Sequence, residues 1–185
     1  MIDKKEFKQI EKELQDFDDN REKLIRSCRD VIKVSKQIIY SIHRDNLKEA
    51  SSHIKTINSL IKKLPDKGYD QGIYFTAIQE YVEAISLYEF VTKNRIPTKK
   101  ELKVSTESYL CGLCDLTGEL VRRAVALVMK KKYDEVNEIY LLVEELYSLF
   151  LLFNLRNGEL RKKSDQIKWN LKKLEEIILA LSLRK

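Results

Sequence analysis

Glycine and proline are scarce, five and two among 185 residues. So little turn chemistry excludes a many-stranded β fold, which needs those residues at its hairpins and corners. Cysteine numbers three, an odd count that builds no disulfide framework. Cys111 and Cys114 form a lone C-x-x-C inside a helical pattern; a tetrahedral zinc site needs four ligands, and no second pair completes one. These thiols are expected in the core. No apolar run approaches the length of a bilayer span, and Leu149–Phe153 is among the longest. No leader pattern is evident either, so the expected location is cytoplasmic, without a membrane partner. P-loop, GxGxxG and GxSxG patterns are absent, and neither His43 nor His53 stands at a ligand or triad spacing.

What is present is charge and helix periodicity. Charged residues make up 35% of the chain, a composition that suits long amphipathic helices. The length suits a single domain spanning 1–185. The net charge of +6 fits a polyanionic partner and equally fits plain solubility.

Residues 3–17 read as helical. Asp19, with Glu22 three residues on, then reads as the cap of a long helix that reaches Arg44 and carries Ile25, Cys28, Ile32, Ile39 and Ile42. A second helix runs from about Asn46 to Lys63, before Pro65, and Asp66–Gly68 is a loop. A third covers 69–93 and ends ahead of Pro97. A fourth starts near Thr98 or Ser105 and reaches Lys132; the pattern restarts at Tyr133 and runs to about Arg156. Asn157-Gly158 stops it, and a last helix holds Leu160, Ile167, Leu171, Leu174, Ile178 and Leu181. Six or seven helices joined by short loops predict an all-α antiparallel bundle.

Acidic residues lie where apolar ones are expected. The third helix has one apolar stripe, Phe75, Ile78, Val82 and Ile85, and a second that reads Thr76, Glu80, Glu83, Leu87, Phe90. Glu80 and Glu83 are therefore one turn apart on a line that is otherwise largely apolar. On the fourth helix, the core stripe of Tyr109, Leu113, Leu116, Leu120, Ala124 and Leu127 is flanked by Gly112, Asp115, Glu119, Arg122 and Ala126. Gly118, in mid-helix at a cost near 1 kcal/mol, suggests a close helix–helix approach. If the two helices pack together, the four carboxylates converge. Carboxylates without His or Cys suit a hard divalent cation such as Mg²⁺, and such sites do phosphoryl chemistry. The same pattern also arises when acids pair with Lys and Arg across helices, and periodicity does not decide between the two. A basic stripe of Arg29, Lys33, Lys36, Tyr40 and His43 on the long helix, with Arg122 and Arg123, offers cations for phosphates or for a solvated face. Arg161-Lys162-Lys163 reads as a solvated helix start.

Four segments resemble the translin family. RDVIKVSKQIIYSIHR (29–44), QEYVEAISLYEF (79–90) and YLCGLCDLTGEL (109–120) are similar to the branch of translin-associated factor X. The stretch LFNLRNGELRKKSDQIKWNLKKLEEIILALSLR (152–184) is more like translin itself. The mixture suggests a single-gene, archaeal-like member. The resemblance implies a seven-helix fold, a closed homo-octamer, and a Mg²⁺-dependent endoribonuclease acting on single-stranded RNA, with Mn²⁺ as an alternative ion. It places the metal-binding and catalytic acids on Glu80, Glu83, Asp115 and Glu119, and a catalytic lysine on Lys36. Arg29, Lys33, Arg122 and Arg123 are then expected to contact RNA. The alternative within the family is a non-catalytic oligomer that binds single-stranded RNA or DNA.

Overall fold

The computed structural model describes residues 2–65 and 67–183; Asp66, expected in a loop, and Arg184, the end of the C-terminal stretch compared above, lie outside them. Among the described residues every regular element is helical: α1 (Lys4–His43), α2 (Leu47–Lys62), α3 (Gln71–Lys93), the single turn α4 (Lys99–Leu102), α5 (Thr106–Met129), α6 (Tyr133–Phe150) and α7 (Glu159–Ser182), with a 3₁₀ turn at Lys67–Tyr69. This is the all-α bundle expected from the periodicity.

Side-chain caps start five of these helices. Asp3, Asn46, Asp70, Thr98 and Ser105 each accept a hydrogen bond from a backbone N–H of the first turn, and Thr98 with Glu101 forms a complete capping box. Both expected starts of the fourth helix are therefore real, the first for one turn and the second for α5. The helix start expected at Asp19 is not. Neither Gly nor Pro occurs before Pro65, so nothing interrupts α1 there, and Asp19 accepts a side-chain bond from Gln15 at 3.2 Å instead. The result is one helix of 40 residues, about 60 Å long at 1.5 Å per residue. Scarce glycine also shows at the reversals: Asp45, Asn94, Lys103 and Lys131 take left-handed backbone conformations, with φ between 50° and 59°, that glycine usually fills.

The C-terminal half of α1 packs against α2 and α3, α3 against α5, and α5 against both α6 and α7. The α1 stripe that is fully buried is Leu24, Cys28, Val31, Ile38 and Ile42; Ile25 and Ile32 flank it. On α5 the core residues are those the periodicity picked, Leu113 through Leu127, and Tyr109 lies at its edge donating to the Pro97 carbonyl at 2.9 Å. Cys111 and Cys114 are buried and free. No described helix is long and apolar enough to cross a membrane.

The close approach expected at Gly118 occurs one helical stretch earlier, at Gly112. A Cβ there would stand 2.6 Å from Val82 Cβ and 2.8 Å from the Gln79 carbonyl oxygen, whereas at Gly118 the nearest atom is Asn170 Nδ2 at 3.9 Å. Gly112 thus sets the spacing of α3 against α5 beside the acidic residues. The two glycines should respond oppositely to alanine. Gly118→Ala gains helix propensity without a clash and should stabilise by up to about 1 kcal/mol. Gly112→Ala meets backbone and a β-branched side chain and should destabilise by about 1–3 kcal/mol despite the same propensity gain. Equilibrium denaturation of the two variants measures both signs.

Candidate metal centre

Four helices contribute to one open cleft of about 660 Å³. Lys36 and Tyr40 come from α1, Glu80 and Glu83 from α3, Asp115, Gly118, Glu119 and Arg122 from α5, and Lys163, Gln166 and Asn170 from α7. The four acids named by the sequence are therefore brought together, although they lie as far apart as 39 positions along the chain.

Their electrostatics differ one from another. Glu83 is 9% exposed, and among the described residues no cation stands within ion-pair distance of it. Burial pushes its carboxyl up to about 8, and the neighbouring carboxylates of Asp115, Glu80 and Glu119 add to the rise. Glu80 is raised chiefly by burial; Lys36, 3.9 Å away, opposes the rise, and Asp115 adds to it. Lys36 is mostly in solvent, so that pair is a loose one. Asp115 is also raised by burial, against the opposing ammonium of Lys163. Glu119 goes the other way: a hydrogen bond from His43 lowers it, with Arg122 helping.

Two groups in this network were not assigned to it by the sequence. His43 Nε2 lies 2.5 Å from Glu119 Oε2. Because an ionised carboxylate only accepts, that ring nitrogen is the donor, which leaves the buried Nδ1 without a partner among the described residues. The basic stripe placed His43 on the correct face; its partner, 76 positions away, was not visible. Lys163, expected to be solvated, is 17% exposed and donates to Asp115 Oδ2 and, at 3.1 Å, to Gln79 Oε1. A signal existed, since Lys163 stands four and eight residues before the buried Ile167 and Leu171, on the apolar stripe of α7.

The cations expected to meet RNA separate into three situations. Arg122 sits at the cleft, 60% exposed and 3.6 Å from Glu119. Arg29 and Lys33 lie on the exposed face of α1, in a shallow strip that continues to Lys36 and Tyr40. Arg123 does not fit the expectation. It is buried and donates to the Ile42 carbonyl at 3.1 Å and to Asp45 at 3.4 Å, so it ties α5 to the end of α1 and is not available to a ligand.

The donor set fits a hard cation. It consists of carboxylates with the amide oxygens of Gln166 and Asn170 nearby, and the one thiol on the cleft wall, Cys114, is pushed up by burial and stays protonated. Oxygen-only donors suit Mg²⁺ or Mn²⁺ rather than a thiophilic metal. Among the described residues no three His, Cys, Asp or Glu side chains are already drawn together at ligand spacing. Like charges repel, and Asp115, Glu80 and Glu119 each lean on a protein cation, Lys163, Lys36 and Arg122 in turn, instead.

A long helical bundle with an open acidic cleft between four of its helices is the class that the fold and the cleft define. The sequence profile of the Translin family matches residues 19–185, and the chain belongs to that family. An uncharacterized protein of Methanocaldococcus jannaschii is 33% identical over 159 residues, 80% of this chain and 70% of that one. Translin of Mus musculus is 31% identical over 157 residues, covering 74% and 68% of the two chains. Translin-associated protein X of Rattus norvegicus is 25% identical over 225 residues, covering 96% and 78%. Among solved structures, apo-NeC3PO superposes with a TM-score of 0.88 at 31% identity over 97% of both chains. AfC3PO in complex with duplex RNA gives 0.87 at 23% identity over 97% and 98%, a likeness of fold. The chain is thus an X-like, archaeal-type member of its family.

Glu83 gives the cleft a pH signature. In metal-free buffer its folded form keeps a proton that the unfolded chain, with an ordinary carboxyl near 4.5, gives up. The folded state is therefore favoured fully below about pH 4.5 and loses that advantage as pH rises through about 8. With EDTA present, Glu83→Gln should become progressively more stable than wild type across this window, by on the order of a few kcal/mol at its upper end. Urea titrations at pH 5, 7 and 9 test it; a stability difference that does not change with pH would mean that Glu83 is ionised throughout.

Proposed function

We propose that this protein is a metal-dependent endoribonuclease acting on single-stranded RNA. The observation that carries the reading is the convergence of Glu80, Glu83 and Asp115 in one cleft, each carboxyl raised, with Glu83 buried and unpaired. Buried like charges persist when something brings them together, and a bound cation is the usual cause.

Glu80, Glu83, Asp115 and Glu119 would hold one or two Mg²⁺ or Mn²⁺ ions. Such an ion, when bound, supplies charge neutralisation at the phosphodiester and activation of the attacking water. The chain's own groups do the rest. Lys36 and Arg122 extend from the cleft rim on exposed side chains, placed to meet the developing charge and the backbone phosphates. Arg29 and Lys33 continue a cationic track along α1, which steers a polyanion toward the acids. His43 fixes the orientation of Glu119 from the side remote from solvent. The duplex RNA bound by AfC3PO is compatible with this fold as a polynucleotide scaffold, and it makes strand preference a point to measure.

Oligomerisation is part of the proposal. The start of α1 is exposed as far as Asp19, and Phe7, Ile10, Leu14 and Phe17, the last also against Tyr69, continue outward the line that is buried at Leu24, Cys28 and Val31. Such a stripe needs a cover, and a closed octamer, as in the family, supplies one. Light scattering should give a particle of about eight copies of the 21.9 kDa chain; a stable monomer at micromolar concentration would remove this claim.

One observation favours the second reading, a non-catalytic oligomer that binds single-stranded RNA or DNA. Asp115 and Glu119 are already partnered by Lys163 and His43 and so are satisfied without metal. The two readings separate on cleavage of labelled RNA with Mg²⁺ or EDTA. Glu80→Gln, Glu83→Gln and Asp115→Asn should each remove most cleavage while RNA binding and the particle size persist, with Glu119→Gln weaker in effect. Lys36→Ala should lower turnover more than affinity. If the wild type never cuts with any divalent ion, or all three amides cut at its rate, the binding protein is the better account.

A further inference from the structure

The cleft already contains a cation of its own. Lys163 reaches in from the first turns of α7, with its side chain only 17% exposed, and its ammonium donates both to Asp115 Oδ2 and to Gln79 Oε1 at 3.1 Å. Of the other cations beside the acids, Lys36 and Arg122 are 66% and 60% exposed and stand 3.9 and 3.6 Å from their carboxylates. They can withdraw into water at little cost. Lys163 cannot do so freely, because it is packed between α3, α5 and α7 and bound at both its polar contacts.

Resting on the reading of the acids as a metal centre, we propose that Lys163 is a built-in competitor of the divalent ion. Its ammonium occupies Asp115 Oδ2, so an ion can take that oxygen only as Lys163 moves off it, and an ion bound through Oδ1 faces the ammonium across the same carboxylate. Two cations sharing one half-buried carboxylate repel each other, which couples the lysine's position to the metal's. The same contact explains how Asp115 stays tolerable in the metal-free fold: a partnered, half-buried carboxylate costs less than a lone one. Lys163 is thus a positioning residue. It holds Asp115 in place before the metal arrives and sets how tightly the metal then binds.

The test is calorimetric titration of Mn²⁺ into the purified full chain without RNA, so that it does not depend on turnover. Lys163→Met removes the charge and keeps most of the volume. It should bind Mn²⁺ about tenfold more tightly than wild type, the scale of one partly buried charge–charge contact. Its melting temperature should also rise more on Mn²⁺ addition than that of wild type. Lys163→Gln, which retains a donor for Asp115 without the charge, guards against loss of fold and should show the same tightening. A variant that folds only when Mn²⁺ is present counts for the proposal. Unchanged or weaker Mn²⁺ binding by both variants, with wild type binding normally, overturns it and leaves Lys163 an ordinary structural pair; so does a failure of both to fold even with Mn²⁺. Absence of Mn²⁺ binding by the wild type itself overturns the metal-centre reading and this inference with it.

Discussion

Carboxylates held close together inside a helical bundle are unfavourable, and the arrangement of this molecule around them follows from that. Glu80 and Glu83 on α3 face Asp115 and Glu119 on α5 because Gly112 lets the two helices approach to a separation that any side chain at that position would prevent. Each acid then needs an answer to its desolvation. Asp115 has Lys163, Glu119 has His43 and Arg122, Glu80 has the loose reach of Lys36, and Glu83 answers by holding its proton. The answers come from α1, α5 and α7, so the polar network runs through the packing of the bundle rather than sitting on its surface.

The fold was legible in the sequence almost to its helix ends, for a simple reason. With five glycines and two prolines, long uninterrupted periodicity leaves little but helix, and caps such as Asn46, Thr98 and Ser105 announce themselves locally. Where the reading failed, the competing pattern was equally local. Asp19 and Glu22 imitate a capping box, but a capping side chain only matters where the backbone has already left the helix, and it does not leave between Lys4 and His43. Asn157-Gly158 is not where the helix stops: α6 ends at Phe150, Gly158 stands just before α7, and the residues between form an irregular link that periodicity alone ran through.

The candidate site was legible on one side only. A line of apolar residues interrupted by acids marks the acids, because burying them is costly and therefore informative. The cations that answer them carry no such mark. Arg122 and Arg123 are neighbours of the same type in the same helix, yet one lies at the cleft and the other is locked onto the Ile42 carbonyl and Asp45; a rotation of one residue, about 100°, decides which. Lys163 was hidden among Arg161 and Lys162 for the same reason. Only its register with Ile167 and Leu171 separates it from them, and register has meaning only after the helix is known to bury that face.

These assignments also bear on how stability and function share the same atoms. Glu83 is neutral, Asp115 is neutralised by Lys163, and Glu119 is held by His43, so the metal-free fold survives by suppressing the negative charge that a divalent ion would need. Binding the proposed cation would reverse each device in turn: Glu83 would lose its proton, and Lys163 would be repelled from Asp115. Part of such an ion's binding energy would therefore be spent on undoing the contacts that stabilise the fold without it. A site built this way would bind a cation more weakly than its charge suggests, and more weakly still as pH falls, since protons compete for the same oxygens. Its acids nonetheless share one cleft without the ion, because the proton on Glu83 and the partners of the other three offset the repulsion among them.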